Sequence, residues 1–533
     1  MDLVSALDKW RSLLGDAHVL AADAATRAYG SDTGAARRTL AGALRIRAAA
    51  TLPEVMRIAS QYQVCVYPIS TGNNWGYGSA LPARDGCVLL DLSGLQMILN
   101  FDAELGVVTL EPGVTQQMLA DFLRDADHPF LVPVTGAGPH CSLVGNALER
   151  GYGITPHADH FAAVTDLHAV LADGSVYRSA LHEAGGAELA RLFKWGIGPY
   201  SAGLFSQSGF GIVTRMSIVL ARRPECTQAC LFQLRDDALL EPAVQAVHTL
   251  LGRLPGVLGG INLMNRHRVL AMTVPAPATG LSGRISPELI ARLAQHHQVA
   301  PWTGFASLYG TARTVAAAQR DMRQQLRGIA SRMLFVTPQR ANTLQRLAHH
   351  VPGKLGARLQ RMTQTLSRGL ELVAGQPNET ALALAYWRNP QAPPAQGPRN
   401  PARDGCGLLW YAPLVPMRAQ RVRAYVDMVH RVTERHAVEP LITLTSLNDR
   451  LFDSTVPLLF DRQRSAAVAA AHSCHRALLE EGRAQGWFPY RVGVDQMAWL
   501  AALQPDALAF HSRLQASLDP HGLLAPGRYG QAE

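Results

Sequence analysis

Apolar residues near the start of the chain fall at Leu3, Leu7, Trp10, Leu13 and Leu14, the spacing of one helix face. This predicts an amphipathic helix packed on the body of the protein. Between residues 40 and 220, short apolar runs alternate with helix-spaced segments and Gly-rich turns. Residues 51–62 predict a helix with Pro53 in its first turn. Residues 64–69, 87–92, 107–110 and 212–220 predict strands, and Glu111-Pro112-Gly113 a turn before a helix at 114–124. Residues 167–172 and 175–178 predict a hairpin, because Asp173-Gly174 supplies its turn. This order is α+β rather than strict βαβ.

Residues 225–480 change character. Helices are predicted at 314–334 and 419–436, with strands at 408–414 and 455–460. The stretch NPQAPPAQGPRNPARDG (389–405) holds five prolines and excludes regular structure. It reads either as a surface linker or as a loop covering a site. No internal repeat is visible.

Composition narrows the class. The 533 residues are 48% hydrophobic and 17% charged, which excludes wholesale disorder. The net charge of +9 is scattered, with no basic stripe, so nucleic acid is not the expected partner. The seven cysteines are widely spaced, without a Cys-x-x-Cys pair, so neither a zinc site nor disulfides are expected. Free thiols fit a reducing, cytoplasmic compartment. The N-terminus lacks a basic region before an apolar run, and no membrane span is expected.

Three Gly-rich loops carry the chemistry. PISTGNNWGYGSALP (68–82) follows a strand and offers glycines, hydroxyls and amides, the equipment of an anion nest. No helix start follows its glycines, so it is not the dinucleotide fingerprint. VPVTGAGPHCSLVGNALERGYGITPHADHF (132–161) and GPYSAGLFSQSGFGIVTRMSIVL (198–220) are the other two. Together they suit an elongated cofactor held at several points.

These segments, with FPYRVGVDQM and LDPHGLLAPGRYG near the end, resemble the flavoenzyme family of vanillyl-alcohol oxidase and p-cresol methylhydroxylase. The resemblance covers residues 45–220 and 405–530 and is weak between 225 and 400. It implies an α+β fold: a two-part FAD-binding domain with an inserted α+β substrate (cap) domain. The expected division is 1–222, 223–478 and 479–533, the last completing the FAD domain. It implies that Ser70, Thr71, Gly72, Asn73 and Asn74 contact the FAD pyrophosphate, with Asn73 replacing the basic residue usual there. Gly145, Asn146, Glu149, Gly153, Ile212 and Val213 would line the flavin. Arg528 would sit where the C-terminal segment returns to the cofactor.

The resemblance also implies the substrate, a small para-substituted phenol held by Tyr77, Tyr490 and Arg491. A guanidinium and phenol donors around the para oxygen favour its phenolate, which eases loss of a benzylic hydride through a quinone methide. Oxygen or a redox protein would reoxidise the flavin, and a homodimer is expected. Two departures from the family stand out. Leu408 occupies the position of a tethering His, so FAD is expected to be non-covalent, with Tyr411 as the alternative tether. Residues 129–148 hold no Asp or Glu, which leaves the oxidase-type acid missing or replaced by His140, Ser142 or water. His140 reads as a solvated loop histidine, and His157 and His160 as structural. Other readings stay open: the same flavin fold acting on an alcohol, hydroxy acid, sugar or amine, or a flavin-binding scaffold without turnover.

Overall fold

The computed structural model describes residues 2–277, 283–348, 350, 352–389 and 397–530. The first helix forms at Leu3–Leu14 and buries Trp10 completely. The Trp10 indole N–H donates to the Val55 carbonyl at 3.1 Å, tying it to helix Leu52–Tyr62. Both pack on a four-stranded sheet ordered Val19–Ala21, Gly42–Arg45, Val88–Asp91, Val66–Ile69. Gly42–Arg45 and Val66–Ile69 run parallel to Val88–Asp91, and Leu52–Tyr62 is the crossover such strands need. The end of the chain returns to this sheet. The Val66 N–H donates to the Leu523 carbonyl and the Ala525 N–H to the Val66 carbonyl, both at 2.8 Å. Leu524 is fully buried there, a contribution of about 1.5–3 kcal/mol for such a side chain.

A second, antiparallel sheet has the order Ile98–Asp102, Val107–Leu110, Ile212–Val219, Val164–Val170, Val176–Tyr177. The predicted hairpin is its last pair, with Ala169 opposite Tyr177 and Gly174 at φ +83°. Every residue of Val164–Val170 is buried. The predicted helix at 114–124 forms at Gln116–Asp125, capped by the Thr115 hydroxyl.

The third sheet is the largest, eight-stranded. Its order is Arg332–Val336, Cys226–Leu234, Trp302–Gly310, Leu258–Asn265, Thr443–Ser446, Leu451–Asp461, Cys406–Tyr411, with Leu414–Pro416 also pairing with Leu451–Asp461. Helices Leu240–Arg253, Ala312–Gln325, Ala419–Arg435 and Ser465–Ala484 share its core. The helix expected over 314–334 is shorter than predicted. It ends at Gln325, Gly328 turns the chain at φ +79°, and the β-favouring Arg332–Val336 becomes the sheet's edge strand. Helix Ser465–Ala484 continues unbroken across residues 478 and 479.

Residues 390–396 of the Pro-rich stretch lie outside the described residues. Its flanks are drawn together where Asn389 Nδ2 donates to the Gly405 carbonyl at 3.2 Å. Among the described residues no helix is long and apolar enough to cross a membrane.

Candidate active site

Strand Val66–Ile69 of the four-stranded sheet delivers the chain into the loop 70–79. Gly76 has φ +77°, and a Cβ there would lie 2.3 Å from Trp410 Cδ1. Only glycine lets this loop close against the Trp410 indole. The loop is laced to its neighbour from the second sheet. Asn73 Nδ2 donates to the His140 carbonyl at 2.9 Å, and the Ser142 N–H donates to Thr71 Oγ1 at 3.2 Å. The Ser142 hydroxyl caps helix Leu143–Leu148 by accepting from the Gly145 N–H at 2.9 Å. A Cβ on Gly145 would lie 2.6 Å from Ser70 Oγ, so glycine is what allows this close approach.

These loops and the third sheet enclose a cavity of about 390 Å³. Its lining includes Ser70, Thr71, Gly72, Asn73, Asn74, Tyr77, Gly145, Asn146, Glu149, Ile212, Val213, Tyr490, Arg491 and Arg528. Of the fifteen positions expected from sequence, Gly153 lies apart. It packs behind the wall, where a Cβ would meet the Val134 carbonyl at 2.5 Å and His160 Nε2 at 2.6 Å. His160 is buried there against Asn146, and burial pushes its imidazole down to about 4. His140 is exposed and offers the loop only its backbone carbonyl; its side chain is not part of the lining.

Arg528 is no surface arginine. Its Nη1 donates to the Tyr67 hydroxyl and its Nε to the Ser208 carbonyl, each at 3.0 Å, and Nη2 pairs with Glu149. Burial by itself would raise the Glu149 carboxyl, but Arg528 and then Arg491 outweigh it and hold it below the ordinary range. One guanidinium thus joins the returning C-terminal segment to the first sheet and the flavin-side loops.

The three expected substrate residues all line this cavity. The Arg491 guanidinium carbon lies 3.8 Å from the Tyr77 ring centroid, and Nη2 donates to Asn74 Oδ1 at 3.0 Å. Arg491 Nε is buried without a partner among the described residues. Tyr490 packs edge-on to Tyr152, ring centroids 5.4 Å apart. Burial raises the Tyr77 phenol to about 12, with Arg491 pulling against it. Burial and then Asp453 raise the Tyr490 phenol well above its usual range.

Asp453 was not anticipated. It stands on strand Leu451–Asp461, lines the cavity and has its Oδ1 buried without a partner among the described residues. Burial pushes its carboxyl up to about 7, with Arg491 opposing. Residues 129–148 place no carboxyl on the cavity, whereas Asp453 reaches its lining from the third sheet. Its sequence signal was the polar run Asp453-Ser454-Thr455 inside an otherwise apolar strand, of which the alternate residues Asp453 and Thr455 reach the lining. Arg268, on helix Arg266–Thr273, also lines the cavity and was also missed.

Tyr411 is corrected as a tether. Cys406–Tyr411 alternates, so Leu408 and Trp410 face the cavity while Tyr411 faces the opposite core. Its ring is fully buried, 6.5 Å from that of Tyr425, and its hydroxyl lies against Gly482.

The chemistry of this lining fits a flavin dinucleotide. It offers a loop of hydroxyls and amides, glycine cradles that a Cβ would fill, and the apolar Ile212 and Val213. The comparisons agree. Residues 41–180 match a family described as FAD binding domain. The chain is 33% identical over 531 residues to 1'-carboxy-chondrochloren decarboxylase of Chondromyces crocatus, covering 99% of this chain and 97% of that one. It is 26% identical to the 4-cresol dehydrogenase [hydroxylating] flavoprotein subunit of Pseudomonas putida, covering 98% and 95%. The solved structure of p-cresol methylhydroxylase with substrate bound superposes with a TM-score of 0.86 at 24% identity, over 99% and 96% of the two chains. The protein is therefore an FAD-dependent oxidoreductase. It belongs to the vanillyl-alcohol oxidase and p-cresol methylhydroxylase family.

Proposed function

We propose that the protein removes a benzylic hydride from a para-substituted phenol bound as its phenolate. The observation that carries this reading is the Arg491 guanidinium, 3.8 Å from the Tyr77 ring centroid in the cavity, with Nε unpartnered among the described residues. A buried cation with spare donors favours an anionic oxygen over a hydroxyl. Tyr77 and Tyr490 add neutral phenol donors, since burial keeps both protonated. Asp453, with its carboxyl near 7, can hold or release a proton at its free Oδ1 as the phenol or the product demands. FAD, when bound, supplies the acceptor for the hydride. Ser70 to Asn74 would hold its pyrophosphate without a covalent tether, and Gly145, Asn146, Glu149, Ile212 and Val213 would line its ring. Oxygen or a redox protein would take the electrons on.

A second outcome is favoured by the 33% identical relative, whose name is that of a decarboxylase. If the para side chain carries a carboxylate one carbon beyond the benzylic position, the quinone methide can lose it. The C–C bond to the carboxylate breaks and its electron pair becomes the new C=C bond. The ring regains its phenolate and CO2 leaves. We also propose that 1–222 and 479–533 form the FAD domain, with 223–478 as the cap, in a cytoplasmic homodimer. Seven unpaired cysteines support the compartment.

The test is product analysis after incubation with 4-ethylphenol and with 3-(4-hydroxyphenyl)propanoate. Side-chain oxidation of the first supports the phenol reading, and 4-vinylphenol with CO2 from the second supports the decarboxylating outcome. Consumption of neither, with FAD bound, counts against both.

A further inference from the structure

The cavity has a second arginine that the phenol reading does not use. Arg268 sits in the first turn of helix Arg266–Thr273, with its N–H donating to Asn265 Oδ1 at 3.0 Å. Asn265 is itself anchored, since its Nδ2 donates to the Pro440 carbonyl and its Oδ1 accepts from the Ile442 N–H. The backbone that aims Arg268 is thus fixed. Its guanidinium reaches the lining, 6.0 Å from the Trp410 ring centroid, on a wall shared with Leu382, Leu384 and Leu408.

Among the described residues no carboxylate pairs with it. Nε and Nη1 of Arg268 are buried without a hydrogen-bond partner among the described residues. Burial lowers its guanidinium to about 10, which still leaves it charged at neutral pH. Unpartnered buried charge is costly, and natural sites keep it where a ligand completes it. The other charges on the lining do not fill the role. Glu149 is taken by Arg528, and Asp453 is opposed by Arg491. A chain of contacts links the two arginines along the lining: Arg268 over Trp410, Trp410 against Gly76, and Arg491 over the adjacent Tyr77.

We propose that Arg268 receives a carboxylate of the substrate, so that the cavity takes a phenol whose para side chain ends in an acid. This rests on the phenol reading, with the phenolate at Arg491 and the acid at the second guanidinium. The ligand is then a dianion bridging two cations that the protein leaves incompletely paired. Arg suits this task because its planar fork matches a carboxylate.

The test uses holoenzyme whose flavin has been reduced with dithionite under anaerobic conditions, so that no hydride can be taken and binding alone is read. Calorimetry measures Kd for 3-(4-hydroxyphenyl)propanoate and for 4-ethylphenol. Wild type should prefer the acid, and Arg268→Met should shrink that preference roughly ten- to a hundredfold, the range for a charge-assisted hydrogen bond. Arg268→Lys should restore part of it. Arg268→Met should also fold at least as well as wild type, because it removes an unpaired buried charge, and a thermal melt checks this. The proposal is overturned if wild type has no preference, or if Arg268→Met weakens both ligands alike. It is also overturned if Arg268→Met loses FAD while keeping the preference, since the anion would then be the cofactor's phosphate. If neither phenol binds to wild type, the phenol reading itself has failed, a result distinct from binding without preference.

Discussion

The Arg491 guanidinium lies 3.8 Å from the centre of the Tyr77 ring, although the two residues are 414 positions apart in the chain. The contact joins the loop between strands Val66–Ile69 and Val88–Asp91 of the first sheet to the segment after helix Ser465–Ala484. It orients a cation without consuming all its donors, because an aromatic face takes none of the N–H groups. That leaves Arg491 able to bind an oxyanion while Asn74 steadies its Nη2.

Arg491→Lys should therefore be damaging despite keeping the charge, because the planar fork and the stacking are both lost. Tyr77→Phe keeps the ring under the guanidinium and removes one donor. Stopped-flow reduction with 4-ethylphenol should slow by about ten- to a thousandfold in Tyr77→Phe. Unchanged rates in both variants would mean that the oxygen is held elsewhere.

Asp453 makes stability depend on pH. Its folded carboxyl is raised to about 7 from an ordinary value of 3.8, chiefly by burial. Protonated Asp453 is thus the form that suits the fold. Its contribution is fully present below pH 4 and is lost as pH rises through 7. Asp453→Asn should match wild type in thermal melts at pH 4 and melt higher at pH 8. Equal melting temperatures at pH 8 would show that the carboxyl titrates normally.

FAD should leave the polypeptide on denaturation. Leu408 faces the cavity but cannot form a bond to it, and Tyr411 faces the other way. Trichloroacetic acid precipitation should leave all flavin in the supernatant, for wild type and Tyr411→Phe alike. Flavin retained in the pellet by wild type and released by Tyr411→Phe would restore the tether.

Gly145→Ala tests the cradle. The new methyl group would lie 2.6 Å from Ser70 Oγ and 3.2 Å from Ser70 Cβ, so Ser70 must turn its hydroxyl away or the loops must shift by a few tenths of an ångström, and either disturbs the cradle. Purified protein should carry less FAD than wild type, with affinity weakened by roughly tenfold or more for a misfit of 1–3 kcal/mol. Normal flavin content would indicate that the loops part without cost at the cofactor.

The sequence made much of this architecture legible. Short apolar strands such as 107–110 and the Asp173-Gly174 hairpin rest on local rules, and the structure has them. Gly-rich loops betrayed the cavity because glycine is used where backbones must close in. What stayed hidden is non-local. Asp453 and Arg268 look like ordinary residues of a strand and a helix, and only the packing of the third sheet against the loop 70–79 turns them toward one cavity. The missing acid was sought beside the flavin loops, although a strand from another sheet can supply it equally well. Arg332–Val336 was absorbed into a helix because the preceding Ala312–Gln325 is strongly helical, and only sheet pairing with Cys226–Leu234 fixes its state. Gly153 lay within a cofactor motif yet serves the packing of His160.

The central claim is that a phenolate, and not the phenol or its ether, gives up the benzylic hydride. The direct measurement is anaerobic bleaching of the bound flavin by 4-ethylphenol and by its O-methyl ether, 4-ethylanisole, followed at the visible flavin band. The account predicts complete bleaching by the phenol and none by the ether, with the rate for the phenol lost in Arg491→Lys. Bleaching by the ether at the rate of the free phenol would contradict it, and would leave an FAD-dependent oxidoreductase whose donor binds by another route.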